Sequence, residues 1–197
     1  IISMTEAALE RGLADLKKWH KLRPTLYLSV NLSPQHFAKE SLVPYIANLL
    51  KKYDLSAHLL KIEVTESALL SEPDKAIKTM KALSKLGVIL ALDDFGTGFS
   101  SLSYLKRLPL DIIKIDRSFV AGIGIEKTDE AIVDATIVLA KRLNMHCIAE
   151  GVETKQQLEY LAQRECYFMQ GYLYCKPVDA KTISDYLSVN IIELKAN

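Results

Sequence analysis

The 197-residue sequence lacks several features, and each absence removes a class of function. It has no long apolar run. The stretch Val88 to Leu92 is five residues, far short of the 18 or so that a membrane-spanning helix requires, so no membrane segment is expected. It has no excess of one charge. Lys and Arg number 25 against 24 Asp and Glu, a net charge of +1, and a general DNA or RNA clamp would carry a basic surplus. Its three cysteines, Cys147, Cys166 and Cys175, form no C-x-x-C pair, the pattern of reduced thiols in a cytoplasmic protein rather than of a disulfide framework. Its first residues, Ile1 to Thr5, do not show the basic-then-apolar pattern of a secretory leader. No two of the four histidines stand in H-x-x-x-H spacing, which argues against a histidine-based zinc site. Neither G-x-G-x-x-G nor G-x-x-x-x-G-K-[ST] occurs; Gly122-Ile123-Gly124 stands alone and reads as a loop.

Hydrophobic residues make up 49% and charged residues 25%, the balance of an ordinary globular domain, and no linker or change of composition divides residues 1–197. Apolar periodicity predicts a helix over 4–20, a strand over 26–32 and a helical segment opened by Ser33-Pro34 with its core face at Phe37, Ile46, Leu49, Leu50 and Tyr53. Strands are predicted at 59–65, 88–92, 111–115, 145–149 and 167–170. Helices are predicted at 71–86, 100–108, 129–143, 154–164 and 179–187, with Asp129 capping one and a Thr154/Gln157 capping box opening another. Six strands separated by helices at this spacing mean βαβ units and a parallel sheet. An open doubly wound sheet and a (β/α)8 barrel both fit that pattern, but a doubly wound nucleotide binder calls for the glycine-rich turn that is missing.

Polar residues collect at the strand ends: Asn31, Glu63 with Glu66, Asp93-Asp94, Lys114 with Asp116, Glu150 with Glu153, and Gln170. A single glutamate at a strand end is ordinarily solvated, and Asp93-Asp94 before Gly96-Thr97-Gly98 could be a turn. The kinase triplet Asp94-Phe95-Gly96 has none of its companion motifs. The coincidence across six strands carries more weight, because a parallel barrel brings all its strand C-termini to one face. Four carboxylates, Glu63, Asp93, Asp94 and Glu150, converging on one lysine would repel by about 4 kcal/mol per pair at 4 Å. Cations must offset them, and oxygen ligands without His or Cys select Mg²⁺ or Mn²⁺, the adjacent aspartates suiting a two-metal site. Carboxylates with a barrel lysine would also serve enolase-type proton abstraction.

Taken in order, NLS at 31–33, EVTE at 63–66, DDFGTGFSSL at 93–102, KID at 114–116, EGVE at 150–153 and QGY at 170–172 resemble the EAL family of cyclic-di-GMP phosphodiesterases, from the first helix to about Pro177. The resemblance implies a bacterial signalling hydrolase with a (β/α)8 TIM-like barrel that uses Mg²⁺ or Mn²⁺ to open cyclic-di-GMP to linear pGpG. It implies Asn31, Glu63 and Asp93 as ligands of a first metal, and Asp93 and Asp94 as ligands of a second. Glu150 would stand near the metals and the attacking water, and Lys114 would orient that water. Gln170 would line the substrate site, and Glu66 would anchor the 95–101 loop. A homodimer and a sensory or GGDEF domain outside this chain are further implications. The Glu-Ala-Leu tripeptide that names the family does not occur; Glu6-Ala7-Ala8-Leu9 belongs to a helix. The expectation is therefore an EAL-type domain incomplete at its N-terminus, with about six of eight strands. The alternative is a non-catalytic module of the same type that binds cyclic-di-GMP or a protein.

Overall fold

The computed structural model describes residues 2–66, 73–98 and 105–188. Six strands form one sheet in sequential order: β1 (Leu28–Asn31), β2 (Leu60–Thr65), β3 (Ile89–Phe95), β4 (Ile112–Ile115), β5 (His146–Ala149) and β6 (Phe168–Met169). Every neighbouring pair is parallel. The helices are α1 (Ile2–Trp19), α2 (Pro34–Phe37), α3 (Leu42–Lys52), α4 (Pro73–Leu86), α5 (Arg117–Ala121), α6 (Lys127–Arg142), α7 (Lys155–Gln163) and α8 (Ala180–Ser188). The alternating pattern predicted the parallel strands and the family resemblance the barrel form; the sheet is an α/β half-barrel with β1 and β6 at its two edges.

Burial separates the two faces of the sheet. Ile62, Val64, Leu90, Leu92 and Ile113 join the large core formed with the helices. Ala91, Ile112 and Ile148 alternate with them and make a small apolar layer on the opposite, concave face. Charged side chains on that face stand above an apolar floor, which thins the water around them.

The local differences from the sequence reading have physical causes. The single segment expected after Ser33 breaks into α2 and α3, because Pro44 within a continuous helix would remove a backbone hydrogen bond; it sits instead in the first turn of α3. Ser33 flanks α2 but makes no side-chain cap; its hydroxyl is paired with His36 Nδ1 at 2.8 Å. Helix α6 starts at Lys127 with Glu126 at the cap position, so Asp129 lies in the first turn. The Thr154/Gln157 capping box forms as expected. Strand β3 runs on through Phe95, past the apolar run that marked it. Helix α5 was not expected; Asp116 caps it by accepting a hydrogen bond from the Ser118 amide at 2.9 Å. The helix expected over 100–108 falls largely outside the described residues.

Candidate metal centre

The centre is built around Lys114. It projects from β4 next to Ile113, which faces the helices, so its own side chain points to the concave face. Only 2% of it is exposed. Its ammonium lies 2.5 Å from Glu63 Oε2, 2.8 Å from Asp93 Oδ1 and 2.5 Å from Glu150 Oε1. These carboxylates come from β2, β3 and the residue after β5; the register sets Asp93 two residues beyond Glu63, and their side chains converge on the one lysine. Asn31 pairs with Glu63, Thr65 with Asp93, and Ile115 with Ala149.

Asp94 is adjacent to Asp93 and in a regular strand would face the other way. The register between β3 and β4 shifts between Leu92 and Phe95, and Asp94 has φ 54°, in the left-handed region that aspartate tolerates better than most residues. This irregularity lets both aspartates serve the concave face. Two groups result, each with its carboxylate oxygens within 4.8 Å of one another: Glu63, Asp93 and Glu150, and Asp94, Asp116 and Glu150. Glu150 belongs to both.

Gln170, just beyond β6, donates from Nε2 to Glu150 Oε1 at 2.5 Å, and its backbone is tied to Ala149 and Val152. Asn31 ends β1 beside Glu63, exposed and without a side-chain hydrogen bond among the described residues. Glu66 is buried away from both groups. Its Oε1 accepts from the Gly96 amide at 3.4 Å, and its Oε2 packs so close to Gly98 that a Cβ there would come within 2.2 Å. Beside the carboxylates, a cleft of about 560 Å³ is lined by Arg117, Glu150, Glu153, Gln170, Tyr172 and Lys176 among others.

The electrostatics follow from this crowding. Burial opposes the charge on Lys114, but the adjacent carboxylates of Asp93, Glu150 and Glu63 outweigh it and raise its pKa. Burial pushes the Glu150 carboxyl up, with Lys114 pulling the other way. Burial and then the charge of Asp93 push Asp94 up. Burial also acts to raise Asp116, but its hydrogen bonds from Ser118 prevail and hold it low. Five carboxylates against one ammonium leave four negative charges when all are ionised, the charge carried by two divalent cations. The buried Asp93 Oδ1 is close to the lysine, yet no donor is aligned for a hydrogen bond to it. An oxygen-only set with such an unspent lone pair fits a hard divalent cation.

The structure brings together Glu63, Asp93, Asp94, Lys114, Glu150 and Gln170, with Asn31 at the margin and Glu66 behind the loop. Sequence reasoning noticed Asp116 at a strand end but gave it no role; KID was the available signal. Ser29 was missed. Its hydroxyl donates to Glu63 Oε1, and one serine in an alternating strand gives no sign of this.

Comparison with known proteins follows the same lines. The EAL domain family model matches residues 1–177. The chain is 39% identical over 188 residues to the cyclic di-GMP phosphodiesterase NbdA of Pseudomonas aeruginosa, covering 95% of this chain and 24% of that protein. It thus spans about a quarter of that relative's length. Among solved structures, the PaMucR phosphodiesterase in complex with c-di-GMP superposes with a TM-score of 0.89 at 38% identity, covering 93% of this chain and 74% of the other. The manganese/cyclic-di-GMP complex of Klebsiella pneumoniae BlrP1 gives 0.80 at 31% identity, covering 89% and 44%. Among the described residues no helix is long and apolar enough to cross a membrane.

Proposed function

This chain belongs to the EAL domain family, and from that premise we propose that it forms the metal-binding and catalytic body of a phosphodiesterase that hydrolyses cyclic-di-GMP to linear pGpG. The observation that carries the proposal is the pair of carboxylate groups sharing Glu150 beside one buried lysine. Glu63 and Asp93, with Asn31 at the margin, would hold one cation, and Asp94 with Asp93 or Asp116 a second. Mg²⁺ or Mn²⁺ suits these oxygen ligands. Such ions supply charge neutralisation at the phosphodiester and a water of lowered pKa.

This chain's own residues do the remaining work. Lys114 stays protonated and directs its charge to where the phosphorane negative charge develops. Glu150, with its raised pKa and its Gln170 hydrogen bond, is placed to accept a proton from the attacking water. Glu66 acts through the loop, by binding the Gly96 amide. The adjoining cleft, with Arg117 and Lys176 among its lining residues, has cationic side chains for a dianionic dinucleotide. The test is chromatography of cyclic-di-GMP incubated with the purified chain and Mn²⁺, Mg²⁺ or EDTA. Metal-dependent appearance of pGpG is expected. Binding of cyclic-di-GMP without turnover under any metal would replace this reading with that of a non-catalytic binding module.

A further inference from the structure

We propose that Ser29 is a positioning residue for the metal centre, holding the Glu63 carboxylate in place when a cation competes for Lys114. This inference rests on the metal-dependent reading above. Ser29 lies on β1 one pleat before Asn31 and in register with Lys61, so it shares a face with Asn31 and with Glu63 on the adjacent strand. Its hydroxyl donates to Glu63 Oε1, while Glu63 Oε2 meets Lys114 at 2.5 Å.

The importance of that hydroxyl follows from how Lys114 is used. One ammonium has three N–H donors, and Lys114 faces three carboxylates within 2.8 Å. A cation entering among them draws on the same oxygens, so the lysine can no longer orient them all. Glu150 keeps a second anchor, the Gln170 amide from β6. Glu63 keeps Ser29 from β1. The two anchors come from opposite edges of the sheet, and both are neutral, so they fix a carboxylate without cancelling the charge a metal needs. Asp93 has a shorter side chain with fewer torsions to restrain. Outer hydrogen bonds of this kind typically alter metal affinity by ten- to a hundredfold.

Ser29 is exposed, so removal of its hydroxyl leaves no buried cavity or orphaned donor that would threaten folding. The experiment is Mn²⁺ titration, by calorimetry and by loss of the free-ion EPR signal, on the whole chain as wild type, Ser29→Ala and Ser29→Thr, without nucleotide. Ser29→Ala should bind the first Mn²⁺ about tenfold more weakly, while Ser29→Thr stays within about twofold. Cyclic-di-GMP hydrolysis by Ser29→Ala should fall at limiting Mn²⁺ and return at saturating Mn²⁺, with KM for the nucleotide unchanged. A merely structural role would not show that metal rescue. If wild type binds Mn²⁺ and Ser29→Ala binds it equally, the Ser29 inference alone is overturned. If wild type takes no Mn²⁺, the metal reading is overturned and the inference with it.

Discussion

Replacing Lys114 with methionine tests whether this residue is the internal counter-cation of the site. Methionine keeps the volume and apolar stem and removes the charge. Glu63, Asp93 and Glu150 then face one another with oxygens within 4.8 Å. At an effective dielectric near 20 each such pair costs about 3.5 kcal/mol, or about 10 kcal/mol for three fully ionised groups. Protonation caps that cost. Holding one carboxyl with a usual pKa near 4 protonated at pH 7 costs about 4 kcal/mol. Removal of one partner from a buried ion pair costs roughly 3–5 kcal/mol, in the same range. In a chain of this size each kcal/mol shifts Tm by about 2–4 °C, so K114M in EDTA at pH 7.5 should melt about 6–20 °C below wild type. Two further signs follow. Mn²⁺ supplies the missing positive charge, so it should raise the Tm of K114M more than that of wild type. Carboxylates whose folded pKa is raised contribute stability below their unfolded pKa and lose it as pH rises through the folded value. The gap between K114M and wild type should therefore narrow from pH 7.5 to pH 5. Differential scanning calorimetry in EDTA and in Mn²⁺ at both pH values decides the matter. Equal Tm values in EDTA at pH 7.5, or a gap that ignores both Mn²⁺ and pH, would refute the counter-cation argument.

Asp93→Asn should reduce cyclic-di-GMP hydrolysis to background and abolish tight Mn²⁺ binding. Its Tm in EDTA should hold within about 2 °C of wild type or rise, because one of three mutually repelling charges is gone; a large fall would mean that Asp93 is chiefly structural. Gly98→Ala places a Cβ against Glu66 Oε2 and should dislodge that carboxylate from the Gly96 amide. If Glu66 works through this loop, Glu66→Ala and Gly98→Ala should each weaken the second Mn²⁺ site, and the double variant should be no worse than Glu66→Ala; additive losses would separate the two effects. Burial raises the pKa values of Glu150 and Asp94, so Mn²⁺ binding should release protons and weaken as pH falls from 7 to 5, toward the carboxylate range. Calorimetry in buffers of different ionisation enthalpy measures that release, and none at pH 5 would contradict the assignment.

What was legible in the sequence differs between the fold and the site. Strand–helix alternation is a property of local period, and six parallel strands followed from it directly. Alternation puts neighbouring strand residues on opposite faces, which suits Glu63 within β2, where it meets Lys114; Glu66 lies just past that strand and meets the Gly96 amide. The same rule gives the wrong orientation for Asp93 and Asp94. Periodicity assumes a regular strand, and here the register shifts and Asp94 turns left-handed. Asp116 was obscured because capping a short helix accounts for an aspartate as well as metal binding does, and its side chain is placed for both. Ser29 was invisible because its role depends on a neighbouring strand's side chain rather than on its own segment.

The residues that escaped the sequence reading share one property: each acts across strands. A half-barrel turns that into an advantage for the chemistry. Most strands contribute one or two polar groups toward the C-terminal end, and most of the other strand residues are Val, Ile, Leu or Ala, which suit a strand packed beneath helices. The carboxylates gather toward the strand ends, above the Ala91, Ile112 and Ile148 layer. The apolar layer makes the carboxylates expensive to leave uncompensated, and Lys114 is the only lysine or arginine in contact with them among the described residues. A single flexible ammonium touching three carboxylates can neutralise the site only in part. The remaining negative charge is what gives a divalent cation its advantage over the solvent.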